Sequence, residues 1–257
     1  MTQLFDSAPG HYLVFEESPR RVRPYIAGTA LADSTHMMLL HESTRLPVYY
    51  FPLEDVRTDL LEPSGQTTAD EHKGEATYWH ARVGPRLAEN AVCAHRSTPA
   101  GAPDLSGHVA FAWDAMDAWF EEDEQVYKHA RDPYHRVDVA SSSRHVRVEV
   151  AGETVAETRK PHLLFETGLP TRYYIPKLDV RLSLLTATDT SSVCPYKGTA
   201  SYWSATVGAA TVEDVAWCYE HPIVECPKIE NLVCFFNEKV DIHVDGELLE
   251  RPQTQWS

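Results

Sequence analysis

The sequence predicts a mainly β protein made of two tandem copies of one small domain. The chain matches itself at a constant offset of 124 residues without a gap, so that Tyr49–Arg57 aligns with Tyr173–Arg181 and Lys73–Trp79 with Lys197–Trp203. Its 257 residues suit two domains of about 125 residues each. Within each half, alternating runs of apolar and polar residues lie between turn signals, which is the pattern of antiparallel strands.

Two hairpins follow from this pattern. Val146–Val150 alternates apolar and polar side chains, a Gly-containing turn follows at 151–153, and Thr154–Thr158 returns. The first half repeats this arrangement with Val22–Ile26 and Thr29–Asp33 on either side of Ala27 and Gly28. We therefore expect a hairpin at the same place in each repeat.

Later segments predict further strands. Leu232–Phe236 and Val240–Val244 read as a pair of strands joined by a turn at 237–239, and Thr199–Val207 is a strand rich in aromatic and β-branched residues. Pro52 and Pro176 cannot donate to a sheet ladder, so each is expected to end a strand or to lie at an edge.

The helical signal is limited to short segments. Leu178–Leu185 reads as one turn followed by a strand. Thr211–Trp217 reads as a short helix, because Thr211 can cap it and acidic residues follow in its first turn. By the repeat, Arg86–Val92 is expected to be a similar short helix.

These elements define the expected architecture. Residues 11–120 form the first repeat, 121–134 an acidic linker, and 135–250 the second repeat. Each repeat is predicted to be a strongly curved antiparallel sheet or an open barrel with one or two short helices. The linker is expected to be a solvated connector because it is acidic and ends near Pro133. Two copies of a domain commonly pair about a twofold axis, so we expect the halves to pack as an intrachain pseudo-dimer with a pseudo-twofold relation.

The charge excludes some partners. The net charge of −15 comes with no basic stripe in either half, which argues against binding to nucleic acid or to an anionic membrane. The first ten residues lack a basic stretch and a long apolar run, so the sequence shows no signal peptide, and no segment has the ~18 consecutive apolar residues of a membrane span. We therefore expect a cytoplasmic protein.

The cysteines agree with that compartment. Of five cysteines, four lie in the second half, and none occupies a position where the other half also has cysteine. A disulfide framework needed by the shared fold would repeat, so we expect reduced thiols. Cys218 and His221 are close in sequence, but the Cys-x-x-Cys pairs typical of a tetrahedral zinc site are missing. The sequence thus predicts no metal and no other cofactor.

The segment Cys194-Pro195-Tyr196-Lys197-Gly198 carries a family resemblance. Together with Tyr174-Ile175-Pro176 upstream and Leu232–Phe236 downstream, it makes the second half resemble the domain of unknown function 427 family, a small β-rich domain with a Cys-Pro-aromatic-Lys-Gly motif. The first half resembles the family through Tyr50-Phe51-Pro52 and Lys73-Gly74, but has Asp70-Glu71-His72 in place of Cys-Pro-aromatic. The whole chain is therefore similar to a two-copy member.

A nucleotidyltransferase-like label is attached to this family in some catalogues. Nucleotidyl transfer requires carboxylates that hold Mg²⁺ against phosphates, usually beside a Gly-rich or basic cradle. The sequence has no phosphate-loop motif, no Gly-x-Gly-x-x-Gly and no Asp-x-Asp pair shared by the halves. The resemblance therefore predicts the fold and leaves the activity open.

The strongest candidates for chemistry are Lys73 and Lys197, the basic residues that both halves keep before a glycine and a strand. A lysine held partly out of water can act as a base, a nucleophile or an anchor for an anion. The alternative is a lysine whose stem packs on aromatic rings. Cys194 would be an activated thiol if the Lys197 ammonium lies close to it, and otherwise an ordinary thiol.

Aromatic residues also repeat between the halves. Tyr50 and Tyr174 match, as do Tyr78 and Tyr202, and the latter pair is followed by Trp79 and Trp203. Neighbours on a strand face opposite ways, so we expect the tryptophan in the core and Tyr202 at a surface or cleft. The alternative is that all of these rings belong to the core.

Three more charged positions repeat: Glu42 and Glu166, Asp55 and Asp179, and Arg57 and Arg181. For the aspartate and arginine of Asp179-Val180-Arg181 we expect a structural ion pair. We further expect Lys197 Nζ to reach a cleft lined by Tyr202 or Tyr174, with Glu166 within salt-bridge distance.

Two functional hypotheses remain open. The first is a small-molecule-binding protein or enzyme with a cleft around the Lys-Gly motif of the second repeat. Its catalytic candidates are Lys197, Cys194 and Tyr202. Its ligand-binding candidates are Tyr174, Glu166, Arg181, Trp203, Lys73, Tyr78 and Tyr50. The second hypothesis is a non-catalytic interaction module in which the repeated residues serve the fold.

Overall fold

The computed structural model describes residues 10–257, and it divides into one compact unit that ends at Asp132 and a second that begins at Pro133. Residues 1–9, where the sequence shows no signal peptide, lie outside the described residues. Both units are mainly β, as predicted. Within the described residues, no helix has the length and apolar character needed to cross a membrane.

The first unit contains two antiparallel sheets. Its strands are β1 (Leu13–Glu17), β2 (Val22–Ile26), β3 (Thr29–Ala30), β4 (Met38–Glu42), β5 (Val48–Pro52), β6 (Leu61–Asp70), β7 (Gly74–Val83), β8 (Arg86–His95), β9 (His108–Phe111), β10 (Ala118–Glu121) and β11 (Glu124–Val126). Seven of them form a sheet in the order β1-β4-β5-β9-β8-β7-β6, and four form a second sheet in the order β11-β10-β2-β3.

The second unit repeats this arrangement strand for strand. Its strands are β12 (Val137–Ser141), β13 (Val146–Val150), β14 (Glu153–Thr158), β15 (His162–Glu166), β16 (Arg172–Pro176), β17 (Leu185–Cys194), β18 (Gly198–Val207), β19 (Ala210–Pro222), β20 (Leu232–Phe235), β21 (Asp241–Val244) and β22 (Glu247–Leu248). The sheet orders are β12-β15-β16-β20-β19-β18-β17 and β14-β13-β21-β22. Each strand occupies the place of its counterpart 124 residues earlier, which confirms the duplication.

The main core of each unit lies between its two sheets. In the first unit, Ile26 and Trp119 from the four-stranded sheet share one buried cluster with Phe51, Val92 and Phe111 from the seven-stranded sheet. The second unit has the matching cluster. Because successive side chains of a strand point to opposite faces, every second residue of the seven-stranded sheet faces away from this core. Those outward side chains form the candidate site.

Several predicted elements are confirmed. The hairpins at 22–30 and 146–158 form, and Pro52 and Pro176 are the last residues of β5 and β16. The turn expected after Leu178 consists of the 3-10 turns Lys177–Asp179 and Leu182–Leu184, which β17 follows directly. In place of the one or two short helices expected in each repeat, the described part of each repeat has three 3-10 turns of three residues, and the sheets are not closed into barrels.

Two predicted helices are wrong. Thr211–Trp217 lies within β19, and Arg86–Val92 lies within β8. The acidic residues at 213 and 214 suggested a helix start. Each segment instead pairs with a long hairpin partner on one side, β18 or β7, and its end pairs with a short strand on the other side, β20 or β9. Such tertiary pairing overrides a local capping signal.

One predicted hairpin is also wrong. The strands near 232–236 and 240–244 both exist, but β20 pairs with β16 and β19 while β21 pairs with β13 and β22. The residues at 237–239 therefore carry the chain from one sheet to the other.

The segment expected to link the repeats is partly built into the first unit. Residues 124–126 form its edge strand β11, which pairs with β10. Glu121 is 3% exposed and accepts a hydrogen bond from the Tyr49 hydroxyl.

The Lys-Gly motif occupies a tight turn between β6 and β7. Asp70 Oδ1 accepts hydrogen bonds of 2.9 Å from the backbone N–H groups of both His72 and Lys73. Gly74 then adopts φ +79°, a conformation that favours glycine. A Cβ added at Gly74 would lie 2.5 Å from the Ser97 carbonyl oxygen, so this glycine is also required by close packing of two backbone segments.

Replacing Gly74 with alanine should destabilise the first unit more than replacing Gly84. Gly84 also has positive φ (+54°), but a Cβ there would meet nothing within 4 Å. Gly84→Ala should therefore cost about 1–2 kcal/mol for the backbone conformation alone, whereas Gly74→Ala adds a backbone clash. Urea unfolding of both variants measures the difference, and equal losses would show that the Gly74–Ser97 contact relaxes freely.

Candidate functional site

One row of side chains crosses the seven-stranded sheet of the first unit on the face away from its main core. Cross-strand pairing joins neighbouring members of the row from β5 through β9 and β8 to β7. We call these four residues the floor row: Tyr50, Ala110, Cys93 and Tyr78. Two of them, Tyr50 and Tyr78, are site residues predicted from the sequence, and the small members Ala110 and Cys93 lie between them.

A cleft of about 660 Å³ lies over this floor row. Its lining follows β8 from His95 to Asn90. Lys73 belongs to the end near His95, and Trp113 belongs to the other end, where its ring stacks on Trp119 with centroids 4.5 Å apart. This volume falls within the range of small-molecule sites, which are mainly apolar with a few polar groups at defined places.

The polar end is built around Lys73, which is only 8% exposed. Its Nζ lies 2.5 Å from Glu42 Oε2 and 3.1 Å from Asp70 Oδ2. The other Glu42 oxygen lies 3.0 Å from His11 Nε2, and the His11 ring stacks on His72 at 3.4 Å. A buried lysine is thus shared by two carboxylates, which satisfies the requirement that buried charges be paired.

This ion pair also shapes the sheet. Glu42 ends β4 and Lys73 precedes β7, and three strands separate β4 from β7 in the sheet order. In a flat sheet, four strand spacings would place them about 19 Å apart. The 2.5 Å contact therefore requires strong curvature at this end of the sheet, with Lys73 and Glu42 reaching towards each other across the concave side.

Both carboxylates at the polar end are ionised at neutral pH. Burial raises the pKa of Glu42, but hydrogen bonds from Lys73 and His11 outweigh it and leave the pKa below its usual range. For Asp70, burial is likewise outweighed, by the two backbone N–H groups and Lys73 together, and the pKa falls to about 2. Arg45 also lines the cleft, and its Nε lies 3.4 Å from Glu42 Oε1, so two cations, Lys73 and Arg45, balance the two carboxylates at this end.

His95 is a second buried polar group in the cleft lining. The residue is 5% exposed, and its Nδ1 has no hydrogen-bond partner among the described residues. Burial is the largest cause that lowers its pKa, and the nearby Lys73 charge lowers it further, so the ring is neutral at pH 7. A hydrogen bond to the Lys73 backbone acts in the opposite direction, because the ring donates it. Since Nδ1 has no partner, Nε2 is the donor, and the neutral ring therefore has Nδ1 without a proton, as a hydrogen-bond acceptor.

Other cleft residues are unsuited to nucleophilic chemistry. Burial raises the pKa of the Cys93 thiol to about 11, which keeps it protonated at neutral pH. Burial also raises the pKa of the Tyr50 hydroxyl far above its usual value. The floor row therefore offers apolar surface and neutral hydroxyl and thiol groups.

The same row in the second unit is filled. Its members, in the same cross-strand order, are Tyr174, Cys234, Trp217 and Tyr202. The indole of Trp217, at the position of Cys93, donates a hydrogen bond of 3.1 Å to the Tyr174 hydroxyl. Phe236, at the position of Ala112, packs against Trp217 with ring centroids 4.5 Å apart. Large rings thus occupy the space that small residues leave open in the first unit.

A buried arginine and the C-terminal segment complete this filling. Arg172 is 4% exposed and binds Glu238 through two contacts of 2.7 and 2.8 Å. Its guanidinium lies 5.5 Å from the Trp217 ring centroid and 5.3 Å from that of Trp256. The first unit has Val48 at the position of Arg172, so this network belongs to the second unit alone.

The second Lys-Gly motif keeps the ion pair. Lys197 Nζ lies 2.5 Å from Glu166 Oε2, which is the contact expected from the sequence. His135 lies 3.0 Å from the other Glu166 oxygen and stacks on Tyr196, as His11 does on His72. Hydrogen bonds from His135 and Lys197 hold the pKa of Glu166 below its usual range although burial opposes them. Cys194 replaces Asp70, so Lys197 has one carboxylate partner where Lys73 has two.

The remaining predicted site residues have structural contacts. Cys194 is partly buried and its carbonyl accepts a hydrogen bond of 3.4 Å from the Lys197 N–H. The Tyr202 hydroxyl lies 2.7 Å from Ser192 Oγ on the outer face. Trp203 packs against the main core, which confirms the expected alternation of these neighbours.

The expected ion pair within Asp179-Val180-Arg181 is wrong. Arg181 instead pairs with Glu153 and donates 3.0 Å to the Thr154 carbonyl, while Asp179 accepts a hydrogen bond of 2.6 Å from Thr158. The reason is that Asp179 ends one 3-10 turn and Arg181 immediately precedes another, so the three residues do not form the extended strand that would place the two side chains on one face.

Sequence reasoning missed His95 and the importance of Cys93 and Ala112. It searched for residues that both halves keep, and these three differ between the halves: their counterparts are Tyr219, Trp217 and Phe236. The signal available in the sequence was the change in side-chain size at outward-facing positions: the first repeat has small residues where the second has aromatic ones.

Two segments of the chain, residues 14–122 and 138–246, match the family described as Domain of unknown function (DUF427). Together they cover most of the chain, so the protein belongs to this family and carries two copies of its domain. No curated protein matches the chain. The family description assigns no activity, and the site therefore has to be interpreted from its own geometry.

Trp217→Cys, which installs the first repeat's residue, should destabilise the second unit by about 3–5 kcal/mol, because it removes a buried ring and the hydrogen bond to Tyr174. Chemical denaturation measures the loss. Trp256→Cys is the control for an indole that is only partly buried, and it should cost distinctly less. A loss below about 1 kcal/mol for Trp217→Cys would show that the ring does not support the fold.

Asp70→Asn should change the acid limb of the stability curve. The folded pKa of Asp70 is about 2, below the unfolded value, so its contribution is present above pH 4 and is lost as the pH falls towards 2. The wild-type protein should therefore lose roughly 2 kcal/mol more than the variant over this range. Unfolding free energies measured from pH 6 to 2 check this, and parallel curves for the two proteins would contradict it.

Proposed function

We propose that the first repeat binds a small, mainly apolar molecule in the cleft over the floor row. The observation that carries the proposal is the difference between the repeats. The outer face of the seven-stranded sheet is open at Cys93 and at Ala112, which follows β9, and it is closed by Trp217 and Phe236 at the matching positions. The second repeat shows that this fold can fill its outer face with its own side chains. The open counterpart is therefore best explained by an occupant.

We propose that the second repeat has a structural role and binds no ligand at this position. Its Lys197–Glu166 pair preserves the curvature of the sheet, while Trp217, Arg172 and Phe236 occupy the volume where a ligand would lie. This assignment moves the proposed ligand site from the second Lys-Gly motif, favoured by its family resemblance, to the first.

Binding is better supported than covalent catalysis. The thiol in the cleft is protonated, because burial raises the pKa of Cys93 to about 11, and the Lys73 ammonium is held by two carboxylates. Neither group is prepared as a nucleophile. His95 is a neutral base in the lining, and a hydrogen bond to a ligand is the simplest use of its buried nitrogen.

The double variant Cys93→Trp/Ala112→Phe should abolish binding, because it transfers the second repeat's rings into the first. A fragment library screened by ligand-observed NMR on the wild-type protein identifies binders, and Trp113 and Trp119 provide a fluorescence signal for titration. Affinity of these binders for the variant should fall at least about tenfold, as expected when the space is filled.

Leu105→Ile is the matched control, since it also installs a second-repeat residue at a buried outer-face position but does not line the cleft. A volume-conserving change of this kind costs little stability. Binding should be unchanged. If fragments bind the double variant as well as the wild-type protein, or if no fragment binds the wild-type protein, the proposal fails.

We also propose a cytoplasmic location, which the odd number of non-repeating cysteines supports. Cell fractionation tests it, and recovery in an extracytoplasmic fraction would contradict it.

A further inference from the structure

We propose that the polar end of the first repeat's cleft selects a neutral carboxamide-like head group over a carboxylate, and that Asp70 sets this preference. The inference rests on the proposed function, because it concerns the ligand of the same cleft. It depends on three features of the polar end: the carboxylates that pair with Lys73, the buried acceptor of His95, and the presence of Asp70 in the first repeat where the second has Cys194.

The first feature is the distribution of charge. Lys73 Nζ contacts Glu42 at 2.5 Å and Asp70 at 3.1 Å, so two of its three N–H bonds have acceptors. The third can donate to a ligand oxygen. Arg45 Nε lies 3.4 Å from Glu42 Oε1 and offsets that carboxylate, so Asp70 is the acid left beside the Lys73 ammonium. A ligand carboxylate that reached Lys73 would lie close to the ionised Asp70, and in a partly buried site this repulsion is weakly screened. A neutral carbonyl oxygen takes the same N–H without that repulsion.

The second feature is the buried acceptor. His95 Nδ1 has no partner among residues 10–257, and the residue lines the cleft at the Lys73 end. Leaving a buried acceptor unsatisfied is unfavourable, so a ligand N–H that reaches it gains a hydrogen bond that the protein does not supply. A carboxamide carries both groups needed: a carbonyl oxygen for Lys73 and an N–H for His95. A carboxylate carries acceptors alone.

The third feature is the comparison between the repeats. Cys194 stands at the position of Asp70, and Lys197 keeps Glu166 as its carboxylate partner. The curvature of the sheet therefore does not require Asp70. Its backbone role in the turn, acceptance of the His72 and Lys73 N–H groups, can be performed by an asparagine oxygen. Asparagine removes the charge and also one acceptor of the Lys73 ammonium, because its amide nitrogen would replace the Oδ2 atom that lies 3.1 Å from Nζ.

The experiment uses 2-naphthamide and 2-naphthoate, which share a ring system and differ in the head group, titrated against the full-length protein by isothermal calorimetry. The wild-type protein should bind the amide at least about tenfold more tightly. In Asp70→Asn the naphthoate affinity should rise at least about tenfold relative to wild type, with the naphthamide affinity changed by less than about threefold.

Two controls separate charge from structure. Asp114→Asn removes another carboxylate from the cleft lining, at the Trp113 end, and should leave the preference intact. His95→Phe should weaken naphthamide by about tenfold without affecting naphthoate, and His95→Asn, which retains an acceptor oxygen, should restore most of the loss.

The outcomes are distinct. Equal or tighter binding of naphthoate to the wild-type protein overturns the proposal, as does an unchanged preference in Asp70→Asn. If Cys93→Trp/Ala112→Phe still abolishes binding of both probes, the cleft remains the binding site and only the head-group preference is wrong. Failure of the wild-type protein to bind either probe overturns the preference, and the fragment screen then decides whether the cleft binds anything.

Discussion

The structure depends on one buried ion pair in each repeat, Lys73–Glu42 and Lys197–Glu166. Each pair joins the turn before one strand to the end of another strand four places away in the sheet. Hydrogen bonding between neighbouring strands does not by itself bring such distant strands together, and these sheets do not close into barrels. Each pair therefore joins distant strands of a curved sheet, whose long hairpins also carry bulges, and the floor row lies on the concave outer face.

This dependence explains why the lysine is kept in both halves although only one has an open cleft. Removing the carboxylate partner of a buried ammonium is strongly destabilising. The side chains lining the concave face can change more freely, provided that other side chains or a ligand fill the space. The two repeats show both outcomes. Cys93 and Ala112 leave the face open, and Trp217 and Phe236 fill it with rings that pack around a buried arginine.

The sequence was sufficient for the fold because its signals are local or repeated. Alternation predicted the hairpin at 146–158, the prolines marked strand ends, and the constant offset predicted two equivalent units. It failed at Thr211–Trp217 because a threonine followed by acids resembles a helix start, and the pairing that makes this segment a strand comes from distant residues. The strands at 232–235 and 241–244 were found, but which sheet each joins depends on partners far away in the chain.

The candidate site was less predictable for a related reason. Comparing the halves for shared residues found Lys73, Tyr50 and Tyr78, yet shared residues report what the fold needs. What distinguishes the open face is held by residues that differ, Cys93 and His95 among them, and their significance appears only once cross-strand pairing places them beside Tyr50 and Lys73.

The different filling of the two outer faces has a consequence for how the chain unfolds. Each unit has a main core and a second buried cluster on its outer face. In the second unit that cluster includes the rings around Arg172, whereas in the first it is smaller and lies beside the open cleft. Two units with unequal packing need not lose their structure together, so the chain is not expected to behave as a single two-state system. A ligand that occupies the cleft stabilises the unit that holds it. Heat-capacity traces should then resolve into two transitions, with the ligand shifting the one that belongs to the first repeat.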